Sequence, residues 1–428
     1  MRDDAAVASL GSAPCRPLLS GPLVERAGEA IGAIAAALEQ ASHRLGPESA
    51  TTLASGTAGW AVFLIYAKAV GFGDGLHSSA ERCLLHAIDG MAGSPMEPGL
   101  FGGFAGTAWT AAHLADRFEI RLTGDAFHEV DVALASYLEQ SPWRHEFDLI
   151  HGLVGFGIYA LERLPQPAAL SILARVIDRL EETAERFPPG IAWPTLPEVS
   201  PWGPLGEAEV HRHDLGMAHG TPGVLAFLGM TYAAGVAQDR VRALAAQSID
   251  WLLAQKQPDG SRSHFSSFVR DPQSRRTAWC RGDPGVAAAF YLVGRAMGNQ
   301  EWEREGMALA HSVARRLPEH TGVRDAGLCH GAAGIAHVLH RLSRDSGDEE
   351  LGRIARQWFE RVLDMRRPGE GCAGFTFHMW DEERRSVQRS DPGLLGGSAG
   401  IGLALLAAVS DVSPEWDRLL LLSLPRTP

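Results

Sequence analysis

Two cysteines and a histidine, Cys280, Cys329 and His330, stand immediately before glycines that open apolar runs. Cys280 and Cys329 lie two residues ahead of Gly282 and Gly331, and His330 lies one ahead of Gly331. The position one before such a glycine also holds His219 and His151, and Asp148 precedes Gly152 by four residues. Two thiolates and one imidazole suit Zn²⁺, and three protein ligands leave a fourth tetrahedral position open, as catalytic rather than structural sites do. The bland alternative makes both cysteines small buried hydrophobes. His219 and Asp148 are candidates for acid–base work or for orienting one another. Arg276, four residues before Cys280, could hold developing negative charge. His151 either joins them or only shapes the mouth of the site. Cys15, Cys83 and Cys372 fall outside the pattern and read as packing residues, His211 and His213 as solvated, and His337 and His340 as packing or surface residues. None of these spacings is that of a zinc finger, so the metal reading requires a fold that brings distant segments together.

The glycines supply one. Gly-x-x-Gly followed by an apolar run recurs at Gly56, Gly103, Gly152, Gly220, Gly282, Gly331 and Gly397, at intervals of 47, 49, 68, 62, 49 and 66 residues. Seven copies at a period near fifty mark a repeat architecture. Amphipathic stretches such as Arg240–Gln255 and Trp302–Arg316 lie between the copies, and alternating β-branched runs are nearly absent. One repeat is therefore two helices, an apolar one beginning at the glycines and a polar one returning. Helices apolar nearly all round demand burial on every side, which a closed ring meets with the glycine-led helices inside. The expectation is an all-α fold, an α,α-toroid of seven inner and seven outer helices forming one domain over residues 1–428. Residues equivalent in the repeats then converge on one rim. Missing side chains at the glycines let helix starts crowd around the axis. Two excursions rich in Pro, Gly and Trp, 187–213 and 258–277, are expected loops.

Composition excludes several classes. The chain has 428 residues, is 45% hydrophobic and 21% charged, and can build a large core without disulfides. A net charge of −12 argues against nucleic acid, whose binding depends on Lys and Arg. Five widely spaced cysteines form no disulfide framework and fit a reducing, cytoplasmic setting. Residues 1–25 lack a secretory signal. The uncharged stretches 51–67 and 393–410 approach the length of a membrane span but belong to the repeat, and read as buried core helices.

Ala218-His219-Gly220-Thr-Pro-Gly223, Trp279-Cys280-Arg281-Gly282-Asp-Pro-Gly285 and Cys329-His330-Gly331-Ala-Ala-Gly334 resemble the motifs of the lanthionine synthetase C-like cyclase family, and the resemblance runs from about residue 20 to 410. It implies an α,α-toroid binding one Zn²⁺ through Cys280, Cys329 and His330, with Asp148, His219 and Arg276 in the acid–base positions. The implied reaction adds a Cys thiol of a precursor peptide to a dehydroalanine or dehydrobutyrine of the same peptide, giving a lanthionine or methyllanthionine ring. The implied partners are the dehydrated peptide, a separate dehydratase and a transporter, the last two gathering the enzyme at the inner membrane face. The 187–213 excursion is short for the separate inserted domain of stand-alone members. Two other readings compete. One is a non-catalytic zinc protein of the same family that binds a peptide or glutathione. The other is a prenyltransferase-like toroid, disfavoured because the chain is 7% aromatic and has no Lys/Arg cluster near the rim.

Overall fold

The computed structural model describes residues 16–93, 95–118, 120, 127–195, 213–258, 261–269, 276–380 and 385–425. Among these are fourteen α-helices and two short antiparallel hairpins. The helices that follow the glycine pairs are α2 (Thr57–Val70), α4 (Phe104–Phe118), α6 (Leu153–Glu162), α8 (Thr221–Ala233), α10 (Asp283–Met297), α12 (Ala332–Ser346) and α14 (Ser398–Val409). Each packs against the next in this series, and α14 packs against α2, so the seven form a closed ring. Every residue from Thr221 to Thr231 in α8 and from Ser398 to Ala408 in α14 is buried, as inner helices require.

The outer layer comprises α1 (Pro22–Ser42), α3 (Leu76–Gly93), α5 (His128–Tyr137), α7 (Pro167–Thr183), α9 (Gln238–Gln255), α11 (Gln300–Ala314) and α13 (Glu349–Asp364). These helices bury one stripe; in α13 it comprises Leu351, Ala355, Trp358, Phe359 and Val362, spaced by three or four residues. Six outer helices follow their inner partners in the chain. The seventh pairing joins α14 to α1, from the opposite end of the sequence, and holds the ring shut. The uncharged stretches end up as α2 and α14, each preceded by a turn. Among the described residues no helix is long and apolar enough to cross a membrane.

The inner helices have no side-chain caps at their glycine N-caps. Their first amides instead reach back to the loop just traversed: in α12, Ala332, Ala333 and Gly334 N–H donate to the carbonyls of Asp325, Ala326 and Gly327. The starts of α6 and α14 do the same. The loop thereby satisfies donors that a helix start leaves unpaired. Both glycines of a motif face that loop: a Cβ on Gly331 would overlap Gly327 and Asp325, and one on Gly334 would overlap the Leu328 carbonyl. The glycines thus make room chiefly for their own preceding loop, more than for neighbours crowding the axis.

The excursion at 187–213 begins as a hairpin of β1 (Glu185–Phe187) and β2 (Gly190–Ala192), and its residues 196–212 lie outside the described residues. So do His211, Cys15 and, in the second excursion, residues 259–260 and 270–275. His213, expected to be solvated, instead packs beside Phe187 and Trp251, with Glu185 3.4 Å away. A second hairpin joins β3 (Phe377–Trp380) to β4 (Ser386–Arg389).

The C-terminal segment lies inside the ring. Its 3₁₀ turn, Glu415–Leu420, touches inner helices on opposite sides. Glu415 pairs with Arg117 of α4, Arg418 with Glu162 of α6 at 2.9 Å, and Asp417 with His337 and Arg341 of α12 at 3.0 Å each. The Trp279 indole donates to the Leu420 carbonyl at 2.8 Å. His113 joins this layer through Tyr66 and Glu162, both at 2.9 Å.

Burial holds three histidines of this interior, His113, His337 and His340, below their ordinary value despite acidic neighbours. In the folded chain they take up protons at lower pH than in the unfolded chain, which protonates them as pH falls through about 6.5. Stability is therefore lost on the acid side of that value, at up to about 1.4 kcal/mol per pH unit for each histidine. Denaturant titrations at pH 7.5 and 5.5 should show a lower midpoint at 5.5; equal midpoints would contradict this.

Candidate metal and acid–base site

A belt of backbone hydrogen bonds ties the seven loops together two or three residues before the glycines. Ala54 N–H donates to the Phe101 carbonyl, Phe101 to Ile150, Leu149 to Ala218, Ala218 to Cys280, Cys280 to Cys329, and Cys329 to Leu395. Leu394 and Leu395 then donate to Ala54 and close the circuit. The repeats are therefore equivalent in space. The side chains one and two residues before each glycine come to one rim because their backbones are bonded to one another.

Cys280 and Cys329, linked directly in this belt by a 3.2 Å bond, bring their thiols together with the His330 imidazole. One ligand atom from each of the three lies within 4.8 Å of the others. The neighbouring Cys329 thiol, with His330 and the charge of Arg276, holds the Cys280 thiol well below its ordinary value despite burial. The same pairing, with burial, pushes the Cys329 thiol up. Burial works against the charged form of His330, but the Cys280 thiolate and Asp325 raise it overall. A pair of soft sulfurs with one imidazole fits Zn²⁺ in its donor chemistry. His330 is held in place by Asp325, 3.7 Å from Nε2, and by the ring of Phe377, 5.1 Å away.

Gly282, which follows this pair, adopts φ +104°, and a Cβ there would overlap the Arg276 carbonyl. The loop carrying Arg276 and Cys280 therefore requires glycine at this position. Arg276 is exposed, and its charge acts on Cys280, Cys329 and His330.

The second cluster is Asp148, His151 and His219, again with ligand atoms within 4.8 Å of one another. His219 Nδ1 meets Asp148 Oδ2 at 2.5 Å, and the His151 amide donates to Asp148 Oδ1 at 2.7 Å. The His151 ring stacks on that of His219, 5.9 Å between centroids. Burial opposes charge on both members of the central pair. Their mutual attraction wins, so Asp148 lies below the usual carboxylate range and His219 above its ordinary value. Glu146 is pushed up to about 7, by burial first and then by the charge of Asp148. Each member of the pair thus favours the charged form of the other.

Two residues that the spacing did not single out for chemistry link the clusters. Arg281 and Asp214 form a buried ion pair at 2.6–2.7 Å. The charge of Arg281 acts on His219, and the two cysteines act on Arg281. Asp214 also accepts from the Gly216 amide at 2.7 Å, as Asp325 does from Gly327 and Asp391 from Gly393. An Asp six residues before the first glycine, with Gly two after it, was the available signal. Cys83 is buried in α3, and Cys372 is half-buried beside Ser398, outside both clusters.

Seven helical hairpins closed into a ring, with a Cys₂His group on the belt, define an α,α-toroid with a metal-type centre. The lanthionine synthetase C-like family model matches residues 47–421, and the chain belongs to that family. The nisin biosynthesis protein NisC of Lactococcus lactis subsp. lactis is 24% identical over 187 residues, which are 38% of this chain and 43% of that protein. The chain therefore matches less than half the length of that curated relative. A solved structure of nisin cyclase superimposes with a TM-score of 0.71 at 17% identity, covering 92% of this chain and 96% of the other. That likeness shows the toroid fold over nearly the whole chain.

Proposed function

We propose that this protein is a zinc-dependent peptide cyclase that adds Cys thiols to dehydroalanine or dehydrobutyrine residues of a dehydrated precursor, forming lanthionine and methyllanthionine rings. The observation that carries the reading is the presence of two clusters on one hydrogen-bonded rim: a sulfur–imidazole group suited to a metal, and a separate proton-holding His–Asp pair. The family assignment and the name of the matched relative support the same chemistry.

Cys280, Cys329 and His330 would hold the metal. Bound there, Zn²⁺ would supply positive charge that lowers the pKa of a peptide thiol entering its open position from roughly 8.5. The remaining work falls to this chain. Attack of the peptide sulfur on the β-carbon moves the double-bond electrons toward the neighbouring carbonyl, and the α-carbon then needs a proton. His219, charged and oriented by Asp148, gives that proton, and the proton released by the peptide thiol on ionising returns through solvent to recharge it. Arg276, exposed beside the sulfur cluster, steadies the negative oxygen formed on attack. The product has the mass of the substrate, with one fewer thiol for each ring. Precursor, dehydratase and transporter would be partners supplied by the cell, acting on the cytoplasmic side.

Incubation with a dehydrated Cys-containing precursor tests the proposal. A cyclase removes one titratable thiol per ring with no change in peptide mass. A family member that merely binds peptide or glutathione leaves the thiols intact, and that result would overturn the reading.

A further inference from the structure

We propose that Asp148, His151 and His219 form a second divalent-cation site, of the kind that takes zinc, and that filling it switches the acid–base pair off. The switching half rests on the function proposed above; the binding half does not. Two imidazoles and a carboxylate are a favourable oxygen–nitrogen set for zinc-type ions. Bonds of roughly 2.0–2.1 Å place the ligand atoms of a tetrahedral ion about 3.3 Å apart. In this structure Asp148 Oδ2 lies 2.5 Å from His219 Nδ1 and 3.6 Å from His151 Nδ1, and one ligand atom from each of the three lies within 4.8 Å of the others, so modest side-chain shifts create the site. The nearby Glu146 carboxyl adds acidic character around it.

Access and anchoring are also in place. The His151 side chain is 49% exposed, whereas that of Asp148 is 4% exposed. An ion can therefore enter past His151 onto a carboxylate that is already fixed by the His151 amide. Asp148 Oδ2 and His219 Nδ1 are hydrogen-bonded to one another at 2.5 Å. An ion there takes the place of the Nδ1 proton, so His219 in an occupied site is no longer an imidazolium and keeps only a far less acidic Nε2 proton. The cluster contains no sulfur, which separates it chemically from Cys280, Cys329 and His330.

Cobalt(II) is the probe that distinguishes the two sites, because cysteine ligands give thiolate-to-cobalt charge-transfer absorption and His/Asp ligands do not. A Cys280→Ser/Cys329→Ser protein should still bind one equivalent of cobalt without that absorption, and adding His151→Ala should abolish it. In the otherwise unaltered chain, His151→Ala or His151→Asn should reduce the binding stoichiometry from two to one and leave the charge-transfer band; this variant pair covers the case in which the serine protein does not fold. Ring formation by the unaltered protein should fall at least about tenfold as free zinc rises past the first equivalent. In the His151 variants, the rate relative to their own one-equivalent value should stay level. A stoichiometry of one in the unaltered protein, or a second equivalent indifferent to both His151 substitutions, overturns the site. A second equivalent that binds without slowing ring formation overturns the switch. A protein that binds both ions but closes no rings leaves the site standing and removes the cyclase reading.

Discussion

Cys280→Ala and Cys329→Ala proteins should each lose their zinc, and ring formation with it. Both sulfurs belong to one cluster with His330, and a backbone bond ties the two cysteines to one another. Disturbing even an outer partner of a metal ligand costs roughly 10–100-fold in affinity. Losing a ligating sulfur should cost more than about 100-fold, so the metal held at the sulfurs, read from thiolate-to-cobalt charge-transfer absorption after dialysis, should fall to under a tenth, whatever the Asp148, His151 and His219 cluster retains. Cys83→Ala and Cys372→Ala are the matched controls, since neither residue lies in the cluster, and both should keep the metal. Full retention of zinc in both Cys280→Ala and Cys329→Ala would refute the ligand assignment.

His219→Ala should separate metal binding from chemistry. Its imidazole stands in the other cluster, so zinc at the sulfurs should be retained. The loss is that of a positioned proton donor, about 10²–10⁴ in rate. Removing His219 also leaves Asp148 buried without its main counter-charge, so thermal unfolding should be followed alongside the rate. Asp148→Asn keeps the shape and removes the charge that holds His219 protonated; its rate should fall while zinc stays. Ring formation at the unaltered rate in His219→Ala would remove this residue from the mechanism.

The repeat was legible in the sequence because it is written in glycine. Each inner helix starts where the loop folds back over its first turn, and no side chain fits there, so Gly331 and Gly334 are forced by the carbonyls above them. Counting back from those glycines was then enough to bring Cys280, Cys329 and His330 together across 50 residues of chain, because the belt of backbone bonds keeps the loops in register. The same count placed Asp148 beside His219. Arg276 reached the sulfur side of the rim, where its charge acts on both thiols.

What the pattern did not reveal depends on contacts without local periodicity. The ion pair of Arg281 and Asp214 joins residues 67 apart, and its arginine is hidden inside a motif already read for its cysteine. Closure of the ring by α1 and α14 joins opposite ends of the chain. The C-terminal segment carries no Gly-x-x-Gly and no helical period, yet Trp416, Leu419, Leu420 and Leu421 are buried within the ring. Its placement follows from Asp417 meeting His337 and Arg341, a match of charges that neither segment announces alone. His213 was misread for a related reason: a proline-rich stretch reads as exposed, while the hairpin before it brings Phe187 over the ring.

Zinc K-edge X-ray absorption on protein purified without chelators and carrying one equivalent of metal tests the central claim most directly. Two sulfur scatterers at about 2.3 Å, with nitrogen at about 2.0–2.1 Å, are the expected environment. A sulfur-free environment, or protein that retains no stoichiometric metal at all, would contradict it.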